Sequence, residues 1–98
     1  MHVLAMEIDL HLGESRSLKA RRSTLKPIVE GARRRFGVAA AEIDGGDTWQ
    51  RASIGFAVVS NSVHHATEVM DEVERFVWSS PGVQVLGARR NWLDQEEA

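Results

Sequence analysis

Leu4, Met6, Ile8, Leu10 and Leu12 recur at every second position, interleaved with Val3, Ala5, Glu7, Asp9 and His11. A period of two predicts a strand over about 2–12 with the first set on a buried face. The opposite face is mixed in polarity, so the pattern predicts a sheet covered by helices on one side only. After a turn at Gly13–Ser17, with Ser15 or Ser17 as N-cap, the period lengthens. Leu18, Leu25, Ile28, Val29, Ala32 and Phe36 fall on one helical stripe, which predicts a helix ending at about Phe36. Pro27 lies inside it and is expected to kink it or split it in two. Gly37 is the expected left-handed residue beyond its C-terminus.

The second half repeats this plan. A strand is predicted over about 38–44 and another over about 49–60, where Ala52, Ile54, Phe56 and Val58 alternate with Arg51, Ser53, Gly55 and Ala57. Between them Asp44-Gly45-Gly46-Asp47 supplies the paired glycines of a tight hairpin, so these strands pair antiparallel. Asn61 or Ser62 caps a helix over about 63–78, whose apolar stripe includes Val63, Ala66, Val69, Met70, Val73, Phe76 and Val77. Ser79-Ser80-Pro81-Gly82 stops it. The last strand runs from Val83 to about Leu93, with Val83/Val85 and Leu86/Ala88 on opposite parities, a conflict that a bulge would reconcile. The closing residues 93–98 are expected to fray.

The order βαββαβ predicts an α+β, ferredoxin-like split βαβ sandwich. Its four antiparallel strands stand in the order 4-1-3-2, with both helices on one face. The 98 residues suit a single domain with one modest core. The absence of cysteine excludes disulfides and thiolate chemistry. Glu7 and Asp9 stand where a signal peptide would be basic, and no apolar run is long enough to span a membrane. A cytoplasmic protein without membrane contact is expected.

The stretches Asp9–Val29 (DLHLGESRSLKARRSTLKPIV) and Ala41–Asn61 (AEIDGGDTWQRASIGFAVVSN), with Val73–Val77 and the Trp92-Leu93 pair, resemble the YlxP-like family of small bacterial proteins of unknown function. The resemblance covers about residues 3–93, and its most specific parts are SLK…R and WQRA…G…VVSN. It implies a ferredoxin-like fold and a bacterial cytosolic protein. It also implies a gene lying, in some bacteria, among those for transcription elongation, translation initiation and ribosome maturation. It supplies no catalytic or binding residues. The Gly45-Gly46 tip departs from the family's pattern, where more polar side chains are expected.

Charge order changes the picture that the total gives. The formal net charge is −2, which alone argues against a polyanion binder. Yet Arg16–Phe36 holds eight basic residues against one acid, Glu30; that segment is +7 and the remainder −9. Lys19, Arg22, Lys26 and Arg33 lie within about 60° on the wheel, a ridge suited to successive phosphates. Arg16, Arg34 and Arg35 complete the candidate nucleic-acid contacts. The run Arg33-Arg34-Arg35 also suits the negative end of the helix dipole, and a solvated basic face is the plain alternative.

Other constellations carry less. An RNA-recognition sheet needs outward aromatics on the central strands, and Glu7 and Asp9 occupy that face instead. Glu7, Asp9 and His11 could form a small acid–base or metal site, but cross-strand pairing with Arg51, Arg89 or Arg90 competes. His64-His65 point about 100° apart and cannot share one metal, while His64/Glu68 and Asp71/Arg75 have the spacing of surface pairs. Trp78 is off its helix's apolar stripe and is expected to be exposed, and Trp49 sits at a strand start. No cofactor or metal is expected.

The leading expectation is a non-enzymatic accessory protein of gene expression, touching RNA or a ribosomal particle through the first helix. The second is a dimeric interaction module docking an acidic partner. A small enzyme or metal protein using Glu7, Asp9 and His11 is the third. Val3, Ala5, Gly55, Ala57 and Val59 leave the uncovered sheet face apolar, so a homodimer through that face is expected.

Overall fold

The computed structural model describes residues 1–13, 16–44 and 50–93. The elements are β1 (His2–His11), α1 (Leu18–Phe36), β2 (Ala39–Asp44), β3 (Arg51–Ser60), α2 (Val63–Trp78) and β4 (Gln84–Trp92). Four strands form one sheet in the order β2-β3-β1-β4, every neighbouring pair antiparallel. This is the ferredoxin-like βαββαβ sandwich that the pattern predicts.

The alternation in β1 resolves as read. Leu4, Met6, Ile8, Leu10 and Leu12 are buried, and they meet Ala52, Ile54, Phe56 and Val58 of β3 in one core. From the helical layer α1 contributes Leu25, Ile28 and Ala32, and α2 contributes Ala66, Met70, Val73 and Val77. Completely burying a side chain of this size contributes roughly 1.5–3 kcal/mol, so this single layer of contacts dominates stability. The helices approach closely at Gly31, where a Cβ would stand 2.7 Å from Phe76 Cζ. Phe76 packs edge-on against Phe36, ring centres 5.6 Å apart.

Local signals place the helix ends. Ser17, not Ser15, caps α1, its hydroxyl accepting from the Ala20 N–H at 3.0 Å; Ser15 lies outside the described residues. Gly37 ends α1 at φ 67°, and its N–H donates to the Arg33 carbonyl. Ser62 caps α2 through the His65 N–H at 3.1 Å. The Gly45-Gly46 hairpin tip, Trp49 and the tail beyond Leu93 lie outside the described residues.

Several expectations are corrected. Pro27 does not split α1, which runs unbroken through it for 19 residues. Pro27 and Ser23 are both exposed, so water can satisfy the carbonyl that the missing N–H leaves free. Leu18 belongs to no buried stripe and is 52% exposed at the helix start. Asp71 pairs with Arg90 of β4 rather than Arg75, because Arg90 on the inner face of an edge strand reaches Asp71 and Glu74, both at 2.9 Å. His64 and Glu68 do pair, at 3.2 Å.

The bulge in β4 is present. Asp9 pairs with Gly87 but Leu10 pairs with Val85, leaving Leu86 as the extra residue. Val85 and Ala88 thereby share the inner face despite opposite parity. A second bulge, at Ile43 between the Glu42↔Ile54 and Asp44↔Ser53 pairs, has no clear pattern in the sequence.

Candidate nucleic-acid interface

The helix α1 carries its cations because its two faces have different duties. The face toward the sheet holds Leu25, Ile28 and Ala32; the remainder is free for charge. Lys19, Arg22, Lys26 and Arg34 are exposed and form no ion pair among the described residues. Arg16 is exposed just before the cap. Arg33, although exposed, is held: its Nε and Nη2 donate to the Ala40 carbonyl at 3.0 and 2.6 Å. Arg35 lies over the rings of Phe36 and Phe76, 5.6 and 5.1 Å from their centres. The six candidate cations on α1 therefore divide. Arg33 and Arg35 help join α1 to β2 and α2, while Lys19, Arg22, Lys26 and Arg34 stand in solvent.

Arg22, Lys26 and Arg33 also line an open groove of about 370 Å³ between α1 and β2, floored by Leu25 and Val29. Glu30 and Glu42 enter it too. Glu42 is occupied: its carboxylate accepts from the Arg21 guanidinium, Nε to Oε2 at 3.1 Å. Arg21 is the one buried charged residue among those described, 4% exposed. Pattern reading counted it only among the eight basic residues of Arg16–Phe36, not among the candidate contacts. A signal was present, since Arg21 precedes Leu25 by four residues and Ile28 by seven, which places it on the apolar stripe.

The outward face of β1 is organised by one arginine. Arg89 Nη1 lies 2.8 Å from Asp9 Oδ2, and Arg89 Nη2 lies 2.9 Å from Glu7 Oε1. Ser53 Oγ donates to Asp9 Oδ1 at 2.6 Å. His11 is turned to the chain itself, its Nδ1 accepting from the Gly13 N–H at 3.2 Å. The carboxylates are thus neutralised across strands. Hydrogen bonds from Arg89 and then from Ser53 hold the Asp9 carboxyl below its ordinary pKa, against a smaller opposing effect of burial. The same contacts push the Arg89 guanidinium higher still.

A pKa depressed on folding gives stability that is present above the unfolded value, near 4, and lost as pH falls through the folded value. Wild-type stability should therefore decline below about pH 4 more steeply than that of Asp9→Asn. Chemical denaturation at stepped pH would measure this; identical slopes for the two proteins would refute the assignment.

The outward positions of the central strands, Val3 to His11 on β1 and Arg51 to Val59 on β3, hold no aromatic side chain on which a base could stack other than His11 at one end. Trp92 stands 40% exposed at the sheet edge, against His2 with ring centres 6.4 Å apart. Trp78 is 60% exposed, as its wheel position predicts. No helix is long and apolar enough to cross a membrane, and no group of three or more acidic or histidine side chains is placed to hold a metal, both among the described residues.

Solved structures reinforce the fold. The chain superposes on a de novo designed protein with ferredoxin fold, LFR1, with a TM-score of 0.53 and 9% identity, covering 100% of this chain and 90% of that one. A C-terminal segment of the alpha subunit of aIF2 from Pyrococcus abyssi gives a TM-score of 0.48 at 14% identity, covering 98% of this chain and 51% of that one, a likeness too slight to bear on function. Among curated proteins, the uncharacterized protein YlxP of Bacillus subtilis (strain 168) is 34% identical over 87 residues, 89% of this chain and 95% of that one. A family model described as "Protein of unknown function (DUF503)" matches residues 3–90. The chain therefore belongs to the DUF503 family, the YlxP-like proteins of unknown function.

Proposed function

We propose that this protein is a non-enzymatic accessory factor that contacts RNA, free or within a ribosomal particle, through α1. The observation that carries this reading is the set of four cations unpaired among the described residues, Lys19, Arg22, Lys26 and Arg34, on one 19-residue helix of a chain whose other parts are acidic. Among the described residues no acid forms an ion pair with them, although Glu30 and Glu42 line the same groove as Arg22 and Lys26. The acids described on α2 turn elsewhere or remain in solvent, with Asp71 and Glu74 on Arg90 and Glu68 on His64. A polyphosphate chain carries condensed counterions, and cations standing in water are free to displace them, so that binding gains the entropy of the released ions. Arg33, fixed on the Ala40 carbonyl, adds a cation at the groove with little side-chain freedom left to lose.

An acid–base or metal function at Glu7, Asp9 and His11 has less support, since Arg89 takes both carboxylates. The test is sucrose-gradient fractionation of a lysate containing the tagged protein at low salt, with and without nuclease. The tagged protein should migrate with ribosomal particles and return to the top after nuclease or high salt. Migration at the top of the gradient at low salt would overturn the proposal. Nuclease-resistant association would transfer the helix to an acidic protein partner.

A further inference from the structure

We propose that a second copy of this chain packs against the uncovered sheet face, strands aligned, to form a weak two-fold dimer. Ile43, 51% exposed, stands over Gly55 on the β2 side of that face, and the remaining apolar surface is concentrated at one end. Leu93, Val3 and Val59 lie side by side there, and Val59 is 65% exposed and Leu93 60%. Beside them is a shallow hollow of about 430 Å³ floored by Ala5, Ala41, Gly55 and Ala57. The opposite end of the face carries His11, Arg51 and Gln84.

The alternative mode of self-association is obstructed. Strand addition needs a free sheet edge, and both edges are irregular. On β2 the Arg33 guanidinium occupies the Ala40 carbonyl and a bulge falls at Ile43; on β4 a bulge falls at Leu86. The face remains. Four strands about 4.8 Å apart and about nine residues long give roughly 600 Å² per protomer, so self-packing removes on the order of 1,200 Å² from water. That lies at the lower limit for a specific interface and requires the whole face to take part.

This requirement selects the symmetry. A two-fold axis lying in the interface across the strands would set Val3 and Val59 on the partner's charged end. An axis along the strands, between β1 and β3, sets apolar on apolar: Val3 over the partner's Val59 and Ala5 over the partner's Ala57. Aligned packing is also what twisted sheets prefer. Among the described side chains charge does not oppose it, because Glu7 and Asp9 balance Arg51 and Arg89 on this face and Arg89 already holds both carboxylates. Both α1 helices remain outward, so the dimer leaves their cations uncovered.

Sedimentation velocity tests this. Wild type should pass from monomer to dimer between about 5 and 500 µM, the range suited to an interface of this size. Val59→Lys, at a position too exposed to threaten folding, should stay monomeric throughout, with Val3→Lys as a second disruptor. Lys26→Glu on α1 should dimerise as wild type does. Wild type that is monomeric at the highest concentration overturns the proposal and leaves the face to another partner. Two lysine variants that dimerise as wild type does also overturn it.

Discussion

Reversing two charges on the solvent ridge of α1, Lys19→Glu with Lys26→Glu, is expected to cut affinity for single-stranded RNA on the order of 30-fold. Both residues are exposed and unpaired among the described residues, so their replacement leaves the core untouched. Four phosphate contacts give a log–log salt slope of about −2.8 for a single strand, a roughly 50-fold loss between 50 and 200 mM salt. Removing two of them should halve that slope, and the introduced carboxylates repel the backbone besides. Because phosphates carry no sequence information, the loss should be equal for all RNA sequences. Fluorescence anisotropy across a salt series measures affinity and slope together, and circular dichroism checks the fold. A variant that binds with wild-type affinity and slope would remove α1 from the interface.

Glu42→Ala is expected to have the largest effect on stability. Arg21 is 4% exposed, and Glu42 supplies a carboxylate to its guanidinium from the neighbouring edge strand. Breaking a fully buried pair costs roughly 3–5 kcal/mol; Glu42 is partly in water, so about 2–3 kcal/mol is the expected loss. For a domain of this size, that lowers the thermal midpoint by roughly 10–20 °C. Replacing both partners, Arg21→Met with Glu42→Gln, removes the buried charge and should recover most of the loss. Thermal melts of the three proteins decide it. A single variant within about 2 °C of wild type, or a double variant as unstable as the single, would show that the pair contributes little.

How much of this was legible in the sequence depended on the range of the interactions. Period two in β1 and β3, period 3.6 in both helices and the Gly37 stop are local, each set by backbone geometry acting over a few residues. The parity conflict between Val85 and Ala88 even announced the β4 bulge. The strand order followed from handedness and short connections. The candidate ridge was legible only as composition, because a wheel shows which cations share a side but not which have partners.

The sequence by itself determined the elements, the one-sided sheet and the concentration of positive charge on α1. Tertiary structure alone decided the fate of each charge. Arg21 turned inward to Glu42, Arg33 bound the Ala40 carbonyl, Arg35 covered two phenylalanines, and Arg89 joined Glu7 to Asp9. The physical reason is the length of these side chains. An arginine reaches far enough to meet a group from any neighbouring element, and which group that is depends on strand order and register, not on spacing along the chain. What remains after those pairings, Lys19, Arg22, Lys26 and Arg34 in open solvent, is the surface on which a polyanion can compete only with water and salt.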